Sequence, residues 1–123
     1  MLASATVVTF LASGDPERSR RFYAETLGLP LKSDDGYALV FDADGIELRI
    51  QKVDRVEPHA YTALGWKVDD ISAAVSGLAR RGVAFERYQG MAQDPSGVWQ
   101  APSGARVAWF KDPDGNLLSL TQG

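Results

Sequence analysis

The stretch Trp109–Leu117 reads Trp-Phe-Lys-Asp-Pro-Asp-Gly-Asn-Leu, and it contains a clear turn signal. Its Asp-Pro-Asp-Gly step at 112–115 lies between two apolar runs, which is typical of a β-hairpin. A similar step, Asp-Ala-Asp-Gly at 42–45, separates two strand-like runs in the first half of the chain. The sequence therefore predicts an internal repeat with one hairpin in each half.

The segments before the two hairpins predict a strand followed by a helix. In the first half, residues 6–12 read as a strand, and a helix begins after the N-cap Asp15 and ends near Gly28. In the second half, residues 62–68 read as a strand, and residues 71–81 have helical spacing. Further strands are predicted at 29–32, 37–41, 46–51, 85–88, 105–110 and 117–121.

This order of elements predicts an α+β fold. Each half becomes one strand-helix-strand-strand-strand module, and we expect residues 1–56 and 57–123 to form the two modules of a single domain. The segment 91–104 is rich in Gly, Pro and Ser, so it predicts a loop. That loop either covers a ligand or is a surface excursion with an aromatic side chain packed on the sheet.

Composition narrows the class of protein. Hydrophobic residues make up 45% and charged residues 24% of the 123 residues, which is typical of a globular chain. The 13 basic and 16 acidic side chains are interspersed, so no basic face for nucleic acid is expected. The absence of cysteine excludes disulfides and thiolate sites. No apolar window is long enough to cross a membrane and no leader is recognisable, so we expect a cytoplasmic protein without a membrane partner.

Two motifs at opposite ends of the chain carry a resemblance to a known family. Ser19-Arg20-Arg21-Phe22-Tyr23 followed by Leu27-Gly28-Leu29, together with the 109–117 stretch, resembles the glyoxalase, bleomycin resistance protein and extradiol dioxygenase superfamily, also called the vicinal oxygen chelate superfamily. The resemblance implies two βαβββ modules whose mixed sheet curves around a cleft, with the helices outside. It also implies a homodimer.

The resemblance implies four cleft-facing metal positions, commonly two histidines and two glutamates. A divalent ion held there chelates neighbouring oxygens of a substrate. Matching the motifs to this sequence puts the positions at Val8, Glu47, Ala63 and Ser119, with Arg49 in place of Glu47 if the register slips by one pleat. Because one carboxylate cannot complete a coordination sphere, we predict no metal and no cofactor.

Taken together, the cleft-facing positions predict an apolar lining with one acid, Glu47, and one base, Arg49. Such a lining is typical of sites for organic molecules, in which aromatic area supplies affinity and a few polar groups fix orientation. Each aromatic side chain fits equally well with a role in the core or in a dimer interface. The predicted ligand-binding residues are Val8, Phe10, Tyr37, Leu39, Glu47, Arg49, Ala63, Trp99, Trp109 and Ser119.

Three classes of function fit these features. The first is a metal-free protein that binds or sequesters a hydrophobic or aromatic small molecule, with antibiotics among the candidate ligands. The second is a metal-independent lyase or isomerase in which Glu47 acts as a general base. The third is a dimeric interaction module with a vestigial cleft. A wide, solvent-filled cleft would favour the first two classes, and a cleft plugged by Phe10, Tyr37 and Trp99 would favour the third.

Overall fold

A computed structural model describes residues 1–123, in which eight β-strands and two α-helices make up most of the regular structure. The chain divides into two units, Met1–Glu57 and Pro58–Gly123, and each has a four-stranded mixed sheet. In both units the order is strand, helix and three strands, which confirms the predicted βαβββ modules and the α+β class. Neither helix is long and apolar enough to cross a membrane.

The first unit has its strands in the order β1-β4-β3-β2, with β1 and β4 parallel and the other pairs antiparallel. Asp15 caps the helix as predicted, since its carboxylate accepts the N–H of Arg18 at 3.2 Å. The elements are β1 Val8–Ser13, α1 Pro16–Arg21, β2 Leu31–Asp34, β3 Ala38–Ala43 and β4 Ile46–Lys52.

The first helix widens before it ends. A π-helical turn, Phe22–Thr26, follows α1, and the N–H of Leu27 donates to the carbonyl of Phe22 at 2.9 Å. Gly28 then takes a φ of 75°, which glycine adopts without steric cost. The wider turn accompanies a fully buried Tyr23, whose ring centroid lies 5.8 Å from that of Phe41 on the sheet.

A tight turn sets the register of β3 and β4. Asp44 and Gly45 form a two-residue turn with φ values of 51° and 88°, and Ala43 pairs with Ile46 across it. The carboxylate of Asp42 accepts the N–H of Gly45 at 2.7 Å. The Asp-Gly prediction of a hairpin is therefore confirmed at this position.

The second unit has the strand order β5-β8-β7-β6, again with one parallel pair, β5 and β8. Asp70 caps α2 by accepting the N–H of Ala73 at 3.1 Å, and the side chain of Gln122 accepts the N–H of Ile71 at 2.8 Å. The elements are β5 Leu64–Lys67, α2 Ile71–Arg80, β6 Trp99–Gln100, β7 Arg106–Lys111 and β8 Leu117–Gln122.

Two segments of the second unit differ from the prediction. Residues 85–88 are not a strand, because pairing there is limited to an isolated bridge between Phe85 and Phe110. The N–H of Glu86 still donates to the carbonyl of Trp109 at 2.8 Å, which holds the segment along β7. Within the predicted loop 91–104, Trp99 and Gln100 form the edge strand β6.

The second hairpin has a longer turn than the first, with Lys111 paired to Leu117 across five residues. Asp112 is 5% exposed and organises this turn. Its carboxylate accepts the backbone N–H groups of Asp114 and Asn116 at 3.0 and 2.9 Å, and the side-chain amide of Asn116 at 2.8 Å. A buried carboxylate with several donors is expensive to remove, because those donors lose their partner.

We expect Asp112→Ala to lower the free energy of unfolding by about 2–4 kcal/mol, since it removes several charge-assisted hydrogen bonds at a buried site. The repeat supplies a matched control, Asp42→Ala, which removes one hydrogen bond to the exposed Gly45 and should cost about 1 kcal/mol or less. Urea unfolding, monitored by circular dichroism, measures the loss of unfolding free energy in both variants. Equal losses in the two variants would contradict the role assigned to Asp112.

Candidate functional site

One face of the first sheet carries a charged pair beside exposed apolar side chains. Val8 lies opposite Glu47, and Phe10 lies opposite Arg49 in the parallel pair β1–β4, so these four side chains share a face. The guanidinium of Arg49 donates to the carboxylate of Glu47 at 3.1 Å. Val8 and Phe10 are 41% and 55% exposed, so the first unit leaves this apolar surface uncovered.

The predicted placement of Leu39 with Glu47 and Arg49 is wrong. In the antiparallel pair β3–β4, Val40 lies opposite Arg49, whereas Leu39 lies opposite Ile50 in the core and is 1% exposed. Tyr37 precedes β3 and is 84% exposed, so it does not plug a cavity of this unit. A shift of one residue moves a side chain to the other face of a sheet, which accounts for the difference.

The second sheet brings four predicted residues to one face. Trp109 lies opposite Ser119 on β8, and Trp99 lies opposite Val107 on β7. Ala63 precedes β5 and donates its N–H to the carbonyl of Leu117 at 2.8 Å. By alternation along the strands, these side chains lie on the face opposite to the one that carries the buried Phe110 and Leu118.

Trp109 is the centre of an aromatic cluster on that face. Its ring centroid lies 6.1 Å from that of Trp99 in a tilted arrangement and 5.5 Å from that of Tyr88 in an edge-to-face arrangement. The indole N–H of Trp109 donates to the hydroxyl of Thr62 at 3.2 Å. These contacts fix the orientation of the indole.

A cavity of about 400 Å³ opens beside the cluster, and all of its wall comes from the second unit. Its volume is in the range expected for sites that take small organic molecules. The wall combines polar and apolar side chains, and Leu117 in it is 6% exposed. The lining residues are Ala60, Tyr61, Thr62, Tyr88, Gln89, Gly90, Met91, Trp109 and Leu117.

A second, more polar cavity of about 250 Å³ adjoins the first, since Ala60, Tyr88 and Leu117 line both. The ammonium of Lys111 lies 3.6 Å from the carboxylate of Glu86 in this cavity. Burial, with the nearby Glu86 carboxylate as a smaller cause, raises the pKa of the Tyr88 phenol above its usual value. Tyr88 is therefore a protonated hydrogen-bond donor at neutral pH.

The loop after Met91 is anchored by Asp94. The carboxylate of Asp94 accepts the hydroxyl of Ser96 at 2.7 Å and the N–H groups of Ser96 and Val98 at 2.9 and 3.0 Å. These bonds, the Ser96 hydroxyl first, hold the pKa of Asp94 below its usual value of 3.8. Val98 is buried, and Trp99 follows it into β6, so the loop positions one wall of the aromatic cluster.

The four positions implied by the resemblance do not fit a divalent metal ion. The side chains of Val8 and Ala63 have no atoms that can bind a metal, and Ser119, which is 8% exposed, offers a neutral hydroxyl. The remaining carboxylate, Glu47, is held by Arg49. No group of three or more histidine, aspartate or glutamate side chains lies together elsewhere in the chain. This donor set lacks the imidazoles and carboxylates that bind catalytic divalent ions in proteins.

The sequence interpretation missed several cavity residues because they lie outside regular strands. The sequence predicts Tyr88 at the end of a strand that does not form, and Tyr61 and Thr62 lie just before β5. Strand alternation gives no direction for side chains in such segments. The aromatic content of residues 85–91, next to the apolar run of β7, is the signal that could have found Tyr88.

We expect the Val98 amide proton resonance to follow the ionisation of Asp94, with a midpoint below 3.8, because the carboxylate accepts this N–H. The folded-state pKa is lowered, so the stabilising contribution is present above the unfolded value and is lost as pH falls through the folded value. Proton–nitrogen correlation spectra between pH 2 and 6 measure the midpoint of the Val98 amide shift, with Asp94→Asn as the non-titrating control. A midpoint at or above 3.8 would contradict the assignment.

Comparison with known proteins supports the interpretation of the motifs. The model of the glyoxalase/bleomycin resistance protein/dioxygenase superfamily matches residues 5–120. No curated protein sequence matches the chain significantly.

Solved structures share the fold over nearly all of the chain. A superfamily member from Sphaerobacter thermophilus DSM 20745 has a TM-score of 0.78 at 24% identity and full coverage of both chains. Lactoylglutathione lyase from Agrobacterium tumefaciens has a TM-score of 0.74 at 18% identity, covering 100% of this chain and 96% of that one.

TnmS3, an antibiotic binding protein from Streptomyces sp. CB03234, has a TM-score of 0.70 at 28% identity, with 99% and 98% of the two chains covered. The match of the family model to almost the whole chain, together with the two βαβββ modules, shows that this chain belongs to the glyoxalase/bleomycin resistance protein/dioxygenase superfamily.

Proposed function

We propose that the protein binds a planar aromatic small molecule in the cavity of the second unit, without a metal ion. The observation that carries this proposal is the placement of Trp109, which is held by Thr62, Tyr88 and Trp99 at the wall of an open cavity of about 400 Å³. An indole with a fixed orientation stacks on an aromatic ligand at little entropic cost.

The other cavity residues suit the same class of ligand. Met91 lines the cavity, and its flexible thioether adapts to ring systems of different outline. Leu117 supplies an apolar base, while Thr62 and Gln89 offer hydrogen-bonding groups at the rim. Affinity in such a site comes mainly from apolar area removed from water, so several aromatic scaffolds fit it.

The likeness to TnmS3 supports binding of an antibiotic as the finer form of this proposal. That protein is an antibiotic binding protein that shares the fold over nearly all of both chains at 28% identity. Sequestering a ligand requires no chemical step. This agrees with the side chains at the four family metal positions, which do not fit a catalytic metal.

The two other functions have less support. As a general base, Glu47 must release its carboxylate from Arg49, which donates to it at 3.1 Å. An interaction module with a vestigial cleft has no need of the open cavity beside Trp109. The homodimer implied by the family stays a prediction, and the exposed Val8 and Phe10 are compatible with it.

We expect Trp109→Ala to weaken binding of planar aromatic antibiotics by about tenfold or more, since one stacked indole contributes more than 1 kcal/mol of contact free energy. The matched control is Trp66→Ala. Trp66 pairs with Leu120 on the opposite face of the same sheet and does not line the cavity.

Isothermal titration calorimetry with a panel of anthraquinone and naphthoquinone antibiotics measures both variants at a temperature where they remain folded. Equal losses in Trp109→Ala and Trp66→Ala would place the binding site elsewhere. No binding by any aromatic member of the panel would overturn the proposed function.

We also expect Mn²⁺, Ni²⁺, Co²⁺ and Zn²⁺ to give no saturable rise in the melting temperature, because a ligand raises it only by binding the folded state. His59, the only histidine, is exposed and is the natural place for adventitious metal. Differential scanning fluorimetry of wild type and His59→Ala distinguishes metal bound at His59 from metal bound at another site. A saturable rise that persists in His59→Ala would contradict a metal-free site.

A further inference from the structure

We infer that the ligand of this site carries an acidic oxygen group next to its aromatic ring, and that Lys111 binds this group in the polar cavity. This inference rests on the proposed function and specifies its ligand class: aromatic carboxylates, sulfonates or ionised phenols.

The two cavities share part of their walls, as such a ligand requires. Ala60, Tyr88 and Leu117 line both, so a ring packed on Trp109 lies next to the polar cavity. Lys111 lies two residues beyond Trp109 on β7, so both side chains project from the same face of the sheet. A ring substituent a few bonds long therefore reaches from one cavity into the other.

The ammonium of Lys111 can donate hydrogen bonds to a ligand. It lies 3.6 Å from the carboxylate of Glu86, which is longer than the 2.7–2.9 Å typical of a charge-assisted hydrogen bond. The Lys111 side chain is 53% exposed, so it moves toward a ligand at small cost. Glu86 keeps the cation over the cavity without occupying its donors.

The other polar groups of this cavity favour an anion over a cation. Tyr88 is a protonated donor at neutral pH, and the imidazole of His59 is stacked on Tyr61 at 5.0 Å with an interplanar angle of 7°. An acidic oxygen group thus meets one ammonium and two groups that can donate. A ligand cation meets the Glu86 carboxylate but also the repulsion of Lys111.

A matched pair of probes separates ring binding from recognition of the anion. 2-Naphthoate and 2-naphthamide have the same ring and nearly the same shape, and they differ by one negative charge at pH 7.5. We expect wild type to bind 2-naphthoate about fivefold more tightly, at the upper end for a partly exposed ion pair. Fluorescence titration gives both dissociation constants.

Three variants test which side chain is responsible. Lys111→Met should abolish the preference while leaving 2-naphthamide binding within twofold, and Lys111→Arg should retain the preference. Glu86→Gln should increase the preference, because it removes a competing carboxylate. Lys67→Met, at the far end of β5, controls for the loss of one positive charge and should have no effect.

Equal affinity of wild type for the two probes overturns this inference and leaves the proposed function standing. A preference that survives in Lys111→Met also overturns it, as does tighter binding of 2-naphthamide. Failure of both probes to bind overturns the proposed function and this inference with it. If the preference for 2-naphthoate is lost in Lys111→Met and kept in Lys67→Met, the result supports both the proposed function and this inference.

Discussion

The buried carboxylate of Asp112 fixes the turn on which the arrangement of the candidate site depends. By accepting N–H groups from Asp114 and Asn116, it closes the five residues between β7 and β8 and pairs Lys111 with Leu117. That register places Trp109 opposite Ser119. A different turn length would move the indole along β8 or to the other face of the sheet, and the aromatic wall would be lost.

The two halves of the chain use the same turn motif for different purposes. Asp42 lies just before a two-residue turn that is open to solvent, whereas Asp112 is buried and is itself the first residue of a five-residue turn with proline second. Proline at 113 has no N–H to donate to a ladder, so the pairing of β7 with β8 does not continue beyond Lys111 and the loop lengthens. The first sheet presents the Glu47–Arg49 pair and the second presents indole rings, so the repeated folds carry different surfaces.

Most of the fold could be predicted from the sequence because its signals are local. The caps Asp15 and Asp70, the glycine after the first helix and the Asp-Gly turns each act through a few neighbouring residues. The face of the sheet to which Leu39 points can also be predicted from a local signal, the length of the turn. A two-residue turn at Asp44-Gly45 places Val40 opposite Arg49, whereas alternation along the strand alone does not decide whether Leu39 or Val40 shares the face of Arg49.

The cavity could not be predicted in the same way, because its wall depends on contacts between distant segments. Thr62 and Trp109 are joined by a hydrogen bond across 47 residues, and no local pattern indicates that pairing. Tyr88 lies in a segment held along β7 by the bond from Glu86 to the carbonyl of Trp109. Such a segment has no alternation, so its side-chain directions follow only from the tertiary structure.

A site built from aromatic area faces a problem of selectivity that a metal site does not have. An apolar surface distinguishes ligands that differ by a methylene by only about 10–200-fold, whereas an unpaired polar group at a buried site is rejected far more strongly. Ala63, Gly65 and Ser119 are small and bring only one hydroxyl between them to the face beside Trp109; a Cβ atom at Gly65 would lie 2.4 Å from that Ser119 hydroxyl oxygen. Discrimination must then come from the edge of the aromatic surface. Lys111, two residues from Trp109 and loosely paired with Glu86, is placed where one charge can distinguish among ligands that share the same ring.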